Sequence, residues 1–135
     1  MSTAIEASCN YFFYEVGYRV TIDNIAKYAK YYGLGQKTNV ELPMEEEGVV
    51  ATRDKAKERG DEWQIGETLS AAIGQSYNSY TPIQMAKYIS MLANGGKPID
   101  VSIVKSVIDV NGNQISKEEI TKFVNAKLGL EKQEK

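Results

Sequence analysis

The most constraining feature of this 135-residue chain is a helix start marked by three residues at fixed spacing. Thr81 can cap a helix, Pro82 suits its first position, and Gln84 stands where the second side chain of a capping box belongs. Apolar residues then recur at helical spacing until Gly95-Gly96, a pair that can end a helix. The sequence therefore predicts a helix from Pro82 to Asn94. Its predicted inner face is apolar and consists of Ile83, Met85, Ala86, Ile89 and Leu92.

Shorter helices are predicted upstream of this one. They cover residues 10–16, 22–32, 53–59 and 69–73. Thr21 is the predicted cap of the second of these helices, and Gly33 is its predicted end. The intervening loop is predicted to contain a short extended piece over residues 39–42, ended by a proline.

The helical spacing of apolar residues ends at Gly96, and a strand-like pattern follows. Residues 101–110 are rich in β-branched and aliphatic side chains, and Asn111-Gly112 is a strong hairpin signal with residues 114–115 returning. Ser116 and Glu119 form a second capping box before a final predicted helix. The sequence thus predicts a mainly α fold of the α+β class, with a small β-hairpin near the C-terminus.

Composition and charge exclude several classes of function. Hydrophobic residues make up 42% and charged residues 25% of the chain, and no apolar run approaches the roughly 20 residues of a spanning helix. We therefore expect no membrane contact by this segment. A net charge of −2 and a pI near 5.3 argue against nucleic acid as a partner. The chain has no histidine, so we expect no His-based triad or His-ligated metal, and we expect no cofactor. The run Glu45–Glu47 is interpreted as a solvated loop rather than a metal site.

Two segments in a fixed order carry a family resemblance. The first contains Trp63, then Gly66-Glu67-Thr68, then Ala72 to Gln75, and the second is Thr81 to Ala86. Together they resemble the W…G-[DE]-T…A-I-G-Q and T-P-x-Q-x-A segments of the class B penicillin-binding proteins. Residues 32–43 are similar to the family's G-L-G…T-G…L-P segment. Three positions depart from the family pattern, because residues with side chains stand where the family usually has glycine: Asn39 and Met44 in or next to this segment, and Ser76 after Gln75.

In this context the tripeptide Ser8-Cys9-Asn10 resembles the family's S-x-N box. The resemblance implies that Ser8 is a catalytic hydroxyl that relays a proton, and that Asn10 contacts the substrate amide. For both to serve one site, the tripeptide must lie outside a regular helix with Cys9 turned inward, since residues two apart diverge on a helix. The alternative is that Ser8 caps the following helix and Asn10 satisfies a turn.

The family's motif set also contains S-x-x-K and K-T-G. Ser102 to Lys105 matches the first by letter, but it lies in a strand-like run, where residues three apart face opposite sides, and it follows the S-x-N box. Lys37-Thr38-Asn39 lacks the glycine of the second motif. We reject both matches, so the nucleophilic serine and its lysine are predicted to be absent from this chain.

The resemblance implies a fragment of a peptidoglycan D,D-transpeptidase, which cross-links cell-wall stem peptides through a serine acyl-enzyme and binds β-lactams. The full-length protein would be anchored by an upstream helix on the extracytoplasmic face of the bacterial plasma membrane. The fragment itself is predicted to be inactive. The alternative is a non-catalytic helical module that binds a partner protein.

The resemblance also implies a partial domain spanning residues 1–135. We predict a helical subdomain over 1–96 with the S-x-N box, a β-hairpin over 97–116, and a C-terminal helix and tail over 117–135. Helix faces that pack against the rest of such a domain would be exposed in the fragment. Either the predicted C-terminal helix over residues 117–130 folds back over them, or two copies bury them together, and we favour the homodimer.

Overall fold

A computed structural model of the chain describes residues 1–116 and 118–122. The chain divides into two compact units, Met1–Val101 and Ser102–Lys135. The first unit is helical, and its helices in chain order are α1 (Ser2–Glu6), α2 (Asn10–Val20), α3 (Ile22–Tyr31), α4 (Arg53–Glu58), α5 (Ile65–Ala72) and α6 (Pro82–Ala93). The second unit contains the strands β1 (Val107–Ile108) and β2 (Gln114–Ile115), and residues 118–122 are helical. The predicted fold class is therefore confirmed.

The hairpin forms around the predicted Asn111-Gly112 turn. The β1 and β2 strands pair antiparallel, with Val107 opposite Ile115 and Ile108 opposite Gln114. Residues 101–106, which were expected to be strand-like, are irregular. β2 is only two residues long and ends where the predicted capping box begins at Ser116, so its pairing reaches only residues 107–108. Apart from residues 118–122, the predicted C-terminal helix and tail lie outside the described residues.

The core of the first unit consists of two clusters that meet α3 at successive turns of one face, through Ile22 and Ala26. One contains Ile22, Ala51 and Ala71 with Trp63 and Tyr77 packed against it. The other contains Ala26, Leu34 and Val50, together with Ala29, Tyr80 and Tyr88. Val50 and Ala51 are neighbours in an extended segment. They belong to different clusters because successive side chains of such a segment point in opposite directions. The paired residues Val49 and Ser79 hold this segment in place.

Helices α2 and α5 approach each other closely at a glycine. Gly17 is the buried residue of α2. A Cβ atom placed on Gly17 would overlap the Cβ of Ala72 and lie 3.5 Å from the carbonyl oxygen of Thr68. Carbon atoms normally pack about 3.5–4.0 Å apart. The close packing of these helices therefore requires glycine at position 17.

The predicted inner face of α6 is wrong. Met85, Ile89 and Leu92 are 41%, 54% and 46% exposed, Ala86 is also exposed, and the residues that α6 buries are Gln84 and Met91. The buried side carries Gln84 and Tyr88 beside Met91, so hydrophobic periodicity selects the other, more apolar side of the helix. The choice is made by Gln84, whose amide is fully hydrogen-bonded inside the protein and can therefore be buried.

Four local predictions also need correction. α2 ends at Val20, four residues beyond its predicted end. α5 begins at Ile65, four residues before the predicted start. Residues 39–42 form no strand, because Asn39 adopts φ = 59° and bends the chain. Thr21 occupies the N-cap position of α3 but makes no side-chain capping bond, since its own φ of 71° departs from the usual cap conformation.

Candidate functional site

The Ser8-Cys9-Asn10 tripeptide is the junction between α1 and α2. The Ser8 amide donates to the Ile5 carbonyl at 3.1 Å, and the Cys9 amide donates to the Ala4 carbonyl at 2.9 Å. These two bonds form a Schellman motif, which closes α1 and turns the chain toward α2. Cys9 is then the extended N-cap residue of α2, at φ = −75° and ψ = 93°, and Asn10 is the first helical residue.

This junction leaves both candidate side chains at the surface. Ser8 and Asn10 are both exposed, whereas Cys9 between them is partly buried. Ser8 and Cys9 therefore lie outside regular helix, and Asn10 begins α2, so the hydroxyl and the amide stand on either side of the N-cap residue. The alternative role for Ser8 as a helix cap is wrong, because Cys9 occupies the N-cap position.

Ser8 adopts a conformation that favours glycine. Its φ of 47° lies in the left-handed region, and it occupies the position of the Schellman motif that glycine usually fills. A residue with a Cβ atom costs roughly 1–2 kcal/mol in this conformation. Such strain is common at functional sites, where the side chain is required despite the backbone.

The W…G-E-T segment is tied together by polar contacts around α5. The indole Nε1 of Trp63 donates to the hydroxyl of buried Thr68 at 3.0 Å. The hydroxyl of Ser76 donates to the carboxylate of Glu67. These bonds connect the loop before α5 and the loop after it to the helix itself. The segment that carries the resemblance thus holds α5, the helix against which α2 packs at Gly17.

The glutamine of the T-P-x-Q segment joins three parts of the chain. Gln84 is fully buried, and its Nε2 donates to the carbonyls of Gln36 at 2.7 Å and Glu47 at 2.8 Å. Its Oε1 accepts a hydrogen bond from the backbone amide of Thr81. The Thr81 hydroxyl in turn accepts one from the backbone amide of Gln84, which completes the predicted capping box. The role of Gln84 is therefore structural.

The Lys37-Thr38-Asn39 match to K-T-G is a structural feature as well. Thr38 is buried, and its hydroxyl donates to the Glu45 carboxylate at 2.6 Å. The same carboxylate accepts from the backbone amides of Thr38 at 2.7 Å and Asn39 at 2.9 Å. Burial raises the pKa of Glu45, but these three hydrogen bonds and the charge of Lys37 outweigh it, so the pKa lies below its usual value.

All three positions where the family usually has glycine keep a glycine-like backbone. The φ angles of Asn39, Met44 and Ser76 are 59°, 58° and 65°. The departures from the family pattern therefore change the side chains and leave the turns intact. Each turn accommodates a residue with a Cβ atom in the left-handed region, which costs free energy of folding.

The Ser102 to Lys105 match lies in irregular chain before β1. The Ser102 hydroxyl donates to the Val104 carbonyl at 3.1 Å. This run was expected to be a strand and is not one, so the exclusion of the S-x-x-K match by strand geometry is wrong. The match still follows the S-x-N box in sequence. Within residues 1–116 and 118–122, no three His, Cys, Asp or Glu side chains are placed to hold a metal ion.

Known proteins resemble this chain in sequence and in fold. The sequence pattern described as "Penicillin binding protein transpeptidase domain" matches residues 1–134. The chain belongs to this family. Peptidoglycan D,D-transpeptidase MrdA of Acinetobacter baumannii is 35% identical over 107 residues, and MrdA of Escherichia coli K12 is 36% identical over 97 residues. These alignments cover 78% and 71% of this chain, but 16% and 15% of the relatives.

Solved structures of penicillin-binding proteins share the fold. PBP2 of Pseudomonas aeruginosa in complex with WCK 5153 has a TM-score of 0.70 at 30% identity, over 91% of this chain and 30% of that chain. PBP2 of Helicobacter pylori, solved in a complex with MreC, has a TM-score of 0.70 at 29% identity, over 94% of this chain and 24% of that chain. The chain thus spans about a sixth of the length of the curated relatives. Among the described residues, no helix is both long and apolar enough to cross a membrane.

Sequence reasoning missed two residues that shape this region. Gly17 gave no signal, because a single glycine within a helical pattern is usually tolerated at a small cost. Glu45 was hidden in a run of three carboxylates that resembles an ordinary solvated loop. Only the approach of Ala72 to Gly17, and of Thr38 to Glu45, reveals what these residues do.

Proposed function

We propose that this chain is the S-x-N-bearing part of a peptidoglycan D,D-transpeptidase. The observation that carries the proposal is the exposed pair Ser8 and Asn10, which flank the N-cap residue of α2 in a chain that matches the transpeptidase domain over residues 1–134. In the full-length protein, a serine nucleophile from outside this chain takes the acyl group of a stem peptide and releases the terminal D-alanine. An amine on a neighbouring strand then attacks the ester and frees the serine.

The two S-x-N residues have separate roles in this proposal. The Ser8 hydroxyl relays the proton that must leave the nucleophile and reach the departing amine. The Asn10 side-chain NH₂ donates a hydrogen bond to a backbone carbonyl of the stem peptide and holds it in line with the nucleophile. β-Lactams acylate the same serine and use the same two contacts, so they report on the site without a glycan substrate.

We expect Asn10→Ala to slow acylation of the full-length protein by a fluorescent penicillin. Loss of one positioned donor in an acyl-transfer site costs roughly 10²- to 10³-fold in rate. Gln64→Ala is a suitable control, because Gln64 also carries an exposed side-chain amide and makes no side-chain capping bond to α5. A wild-type rate for Asn10→Ala would contradict the S-x-N assignment and favour a non-catalytic helical module.

Ser8→Gly separates the role of the hydroxyl from that of the backbone. Glycine fits the left-handed position, so the variant should be at least as stable as the wild type in urea denaturation. Acylation should nevertheless slow, because the relay hydroxyl is missing. A stable Ser8→Gly protein that acylates at the wild-type rate would show that Ser8 is dispensable.

We also propose where the full-length protein works and how the fragment behaves. Its substrates are peptidoglycan stem peptides, so the domain belongs on the extracytoplasmic face of the plasma membrane. The 135-residue chain alone should gain no mass on incubation with penicillin, because we place the nucleophile outside it. We further propose that the isolated chain forms a homodimer through its exposed apolar surface.

A further inference from the structure

We infer that Gly17 is a positioning residue for the S-x-N box, because it sets how closely α2 approaches α5. This inference rests on the proposed function, since it concerns the same acyl transfer. Asn10 is the first residue of α2, and Gly17 is the buried residue of that helix. The contact at Gly17 therefore connects the helix that presents Asn10 to the helix within the W…G-E-T…A-I-G-Q segment.

The surroundings of Gly17 cannot accommodate even a methyl group. The nearest atom to a Cβ added at this position would be the Cβ of Ala72, which no side-chain rotation can move away. The next would be the backbone carbonyl oxygen of Thr68, at 3.5 Å. Thr68 is itself buried and hydrogen-bonded to Trp63. An added methyl group must therefore push the two helices apart, by about 1 Å to restore normal carbon–carbon distances.

Helix α2 would carry this displacement to the site. Asn10 and Gly17 are seven positions apart, which corresponds to roughly 10 Å along a helix. A helix of this length moves largely as one body, so a shift at Gly17 moves Asn10 relative to α5 by a similar distance. A misplacement of about 1 Å at a reacting centre can cost on the order of 10²-fold in rate.

The test is the acylation rate of the full-length protein by a fluorescent penicillin, measured at a temperature where every variant is folded. Gly17→Ala is compared with the reciprocal double variant Gly17→Ala/Ala72→Gly, which moves the methyl group from α5 to α2 and restores the spacing. Gly66→Ala is the matched control, because nothing lies within 4 Å of a Cβ at this helical glycine. Ala56→Gly on α4 provides a destabilised comparison, since Ala56 is fully buried.

Gly17→Ala should acylate at least about tenfold more slowly than the wild type, and adding Ala72→Gly should restore most of the rate. Gly66→Ala and Ala56→Gly should retain the wild-type rate. The inference is overturned if folded Gly17→Ala acylates normally, if Ala56→Gly slows equally, or if the double variant regains stability without regaining rate. If Gly17→Ala does not fold, Ala72→Ser crowds the same contact more mildly and should slow acylation.

The two proposals fail in different ways. A wild-type protein that is never labelled would refute the transpeptidase function and this inference with it. A wild-type protein that is labelled, slowed by Asn10→Ala and unaffected by Gly17→Ala would refute only the role of Gly17.

Discussion

At the scale of single residues, several turns place residues other than glycine in the left-handed region, which their Cβ atoms disfavour. Met44 is the clearest case, because it is 93% exposed, has φ = 58° and stands where the family usually has glycine. Replacing it removes strain of roughly 1–2 kcal/mol, partly offset by the greater freedom of glycine in the unfolded chain. Met44→Gly should therefore raise the free energy of unfolding by about 0.5–1 kcal/mol in urea titrations. Asn39→Gly should gain less, because asparagine tolerates the left-handed region; an equal or larger gain would contradict this explanation.

Glu45 makes the stability of the loop depend on pH. Its pKa is lowered from 4.5, so the folded state favours the carboxylate form. The corresponding stability is fully present above pH 4.5 and is lost as the pH falls through the lower pKa of the folded state. Glu45→Gln should cost about 1–2 kcal/mol at pH 7, and the difference from the wild type should shrink as the pH falls below 4.5. Urea titrations between about pH 3 and 7 measure this, with exposed Glu46→Gln as the control. A difference that does not change with pH would refute the role of the charge.

At the scale of elements, one amide orients α6. Both Gln84 Nε2 hydrogen bonds end on loop carbonyls, and removing the donor leaves those oxygens without a partner in the interior. Gln84→Leu should therefore cost about 2–4 kcal/mol in urea denaturation, whereas Gln75→Leu at an exposed position should cost little. Gln84→Glu should be more destabilising near pH 7 than near pH 4, because a carboxylate would face two carbonyl oxygens. A Gln84→Leu variant as stable as the wild type would show that α6 is oriented by its apolar contacts alone.

At the scale of the whole molecule, the outward stripe of α6 favours self-association. Met85, Ile89 and Leu92 lie on one side of the helix and are exposed together. Soluble monomers rarely expose large contiguous apolar patches, and a second copy can cover this one. Sedimentation equilibrium of the 135-residue chain should show a concentration-dependent dimer, which Ile89→Glu should weaken. Ser90→Glu, on the same helix but off the stripe, should leave the association unchanged. A monomer from micromolar to millimolar loading would refute the homodimer.

Local sequence rules determined where several elements begin and turn. The Thr81–Gln84 capping box and the Asn111-Gly112 turn depend on residues within four positions of one another, so the sequence alone contained them. The sequence also identified the family, because its motifs recur in fixed order. From the sequence we could state only that Ser8 and Asn10 must avoid a regular helix to share a site. Their actual arrangement depends on the turn that ends α1, which the sequence did not predict.

The tertiary structure decided which faces and which contacts matter. Hydrophobic periodicity located α6 but chose the wrong face, because the buried side was set by carbonyls that lie 48 and 37 positions away from Gln84 in sequence. Nothing in the sequence indicated the roles of Gly17 and Glu45. These roles follow from the contact of Gly17 with Ala72 and from the hydrogen bond of Glu45 with Thr38, which only the folded chain contains. Helix capping and turn formation depend on interactions between residues close in sequence, so they can be predicted from the sequence. Packing and burial depend on atoms that only folding brings together.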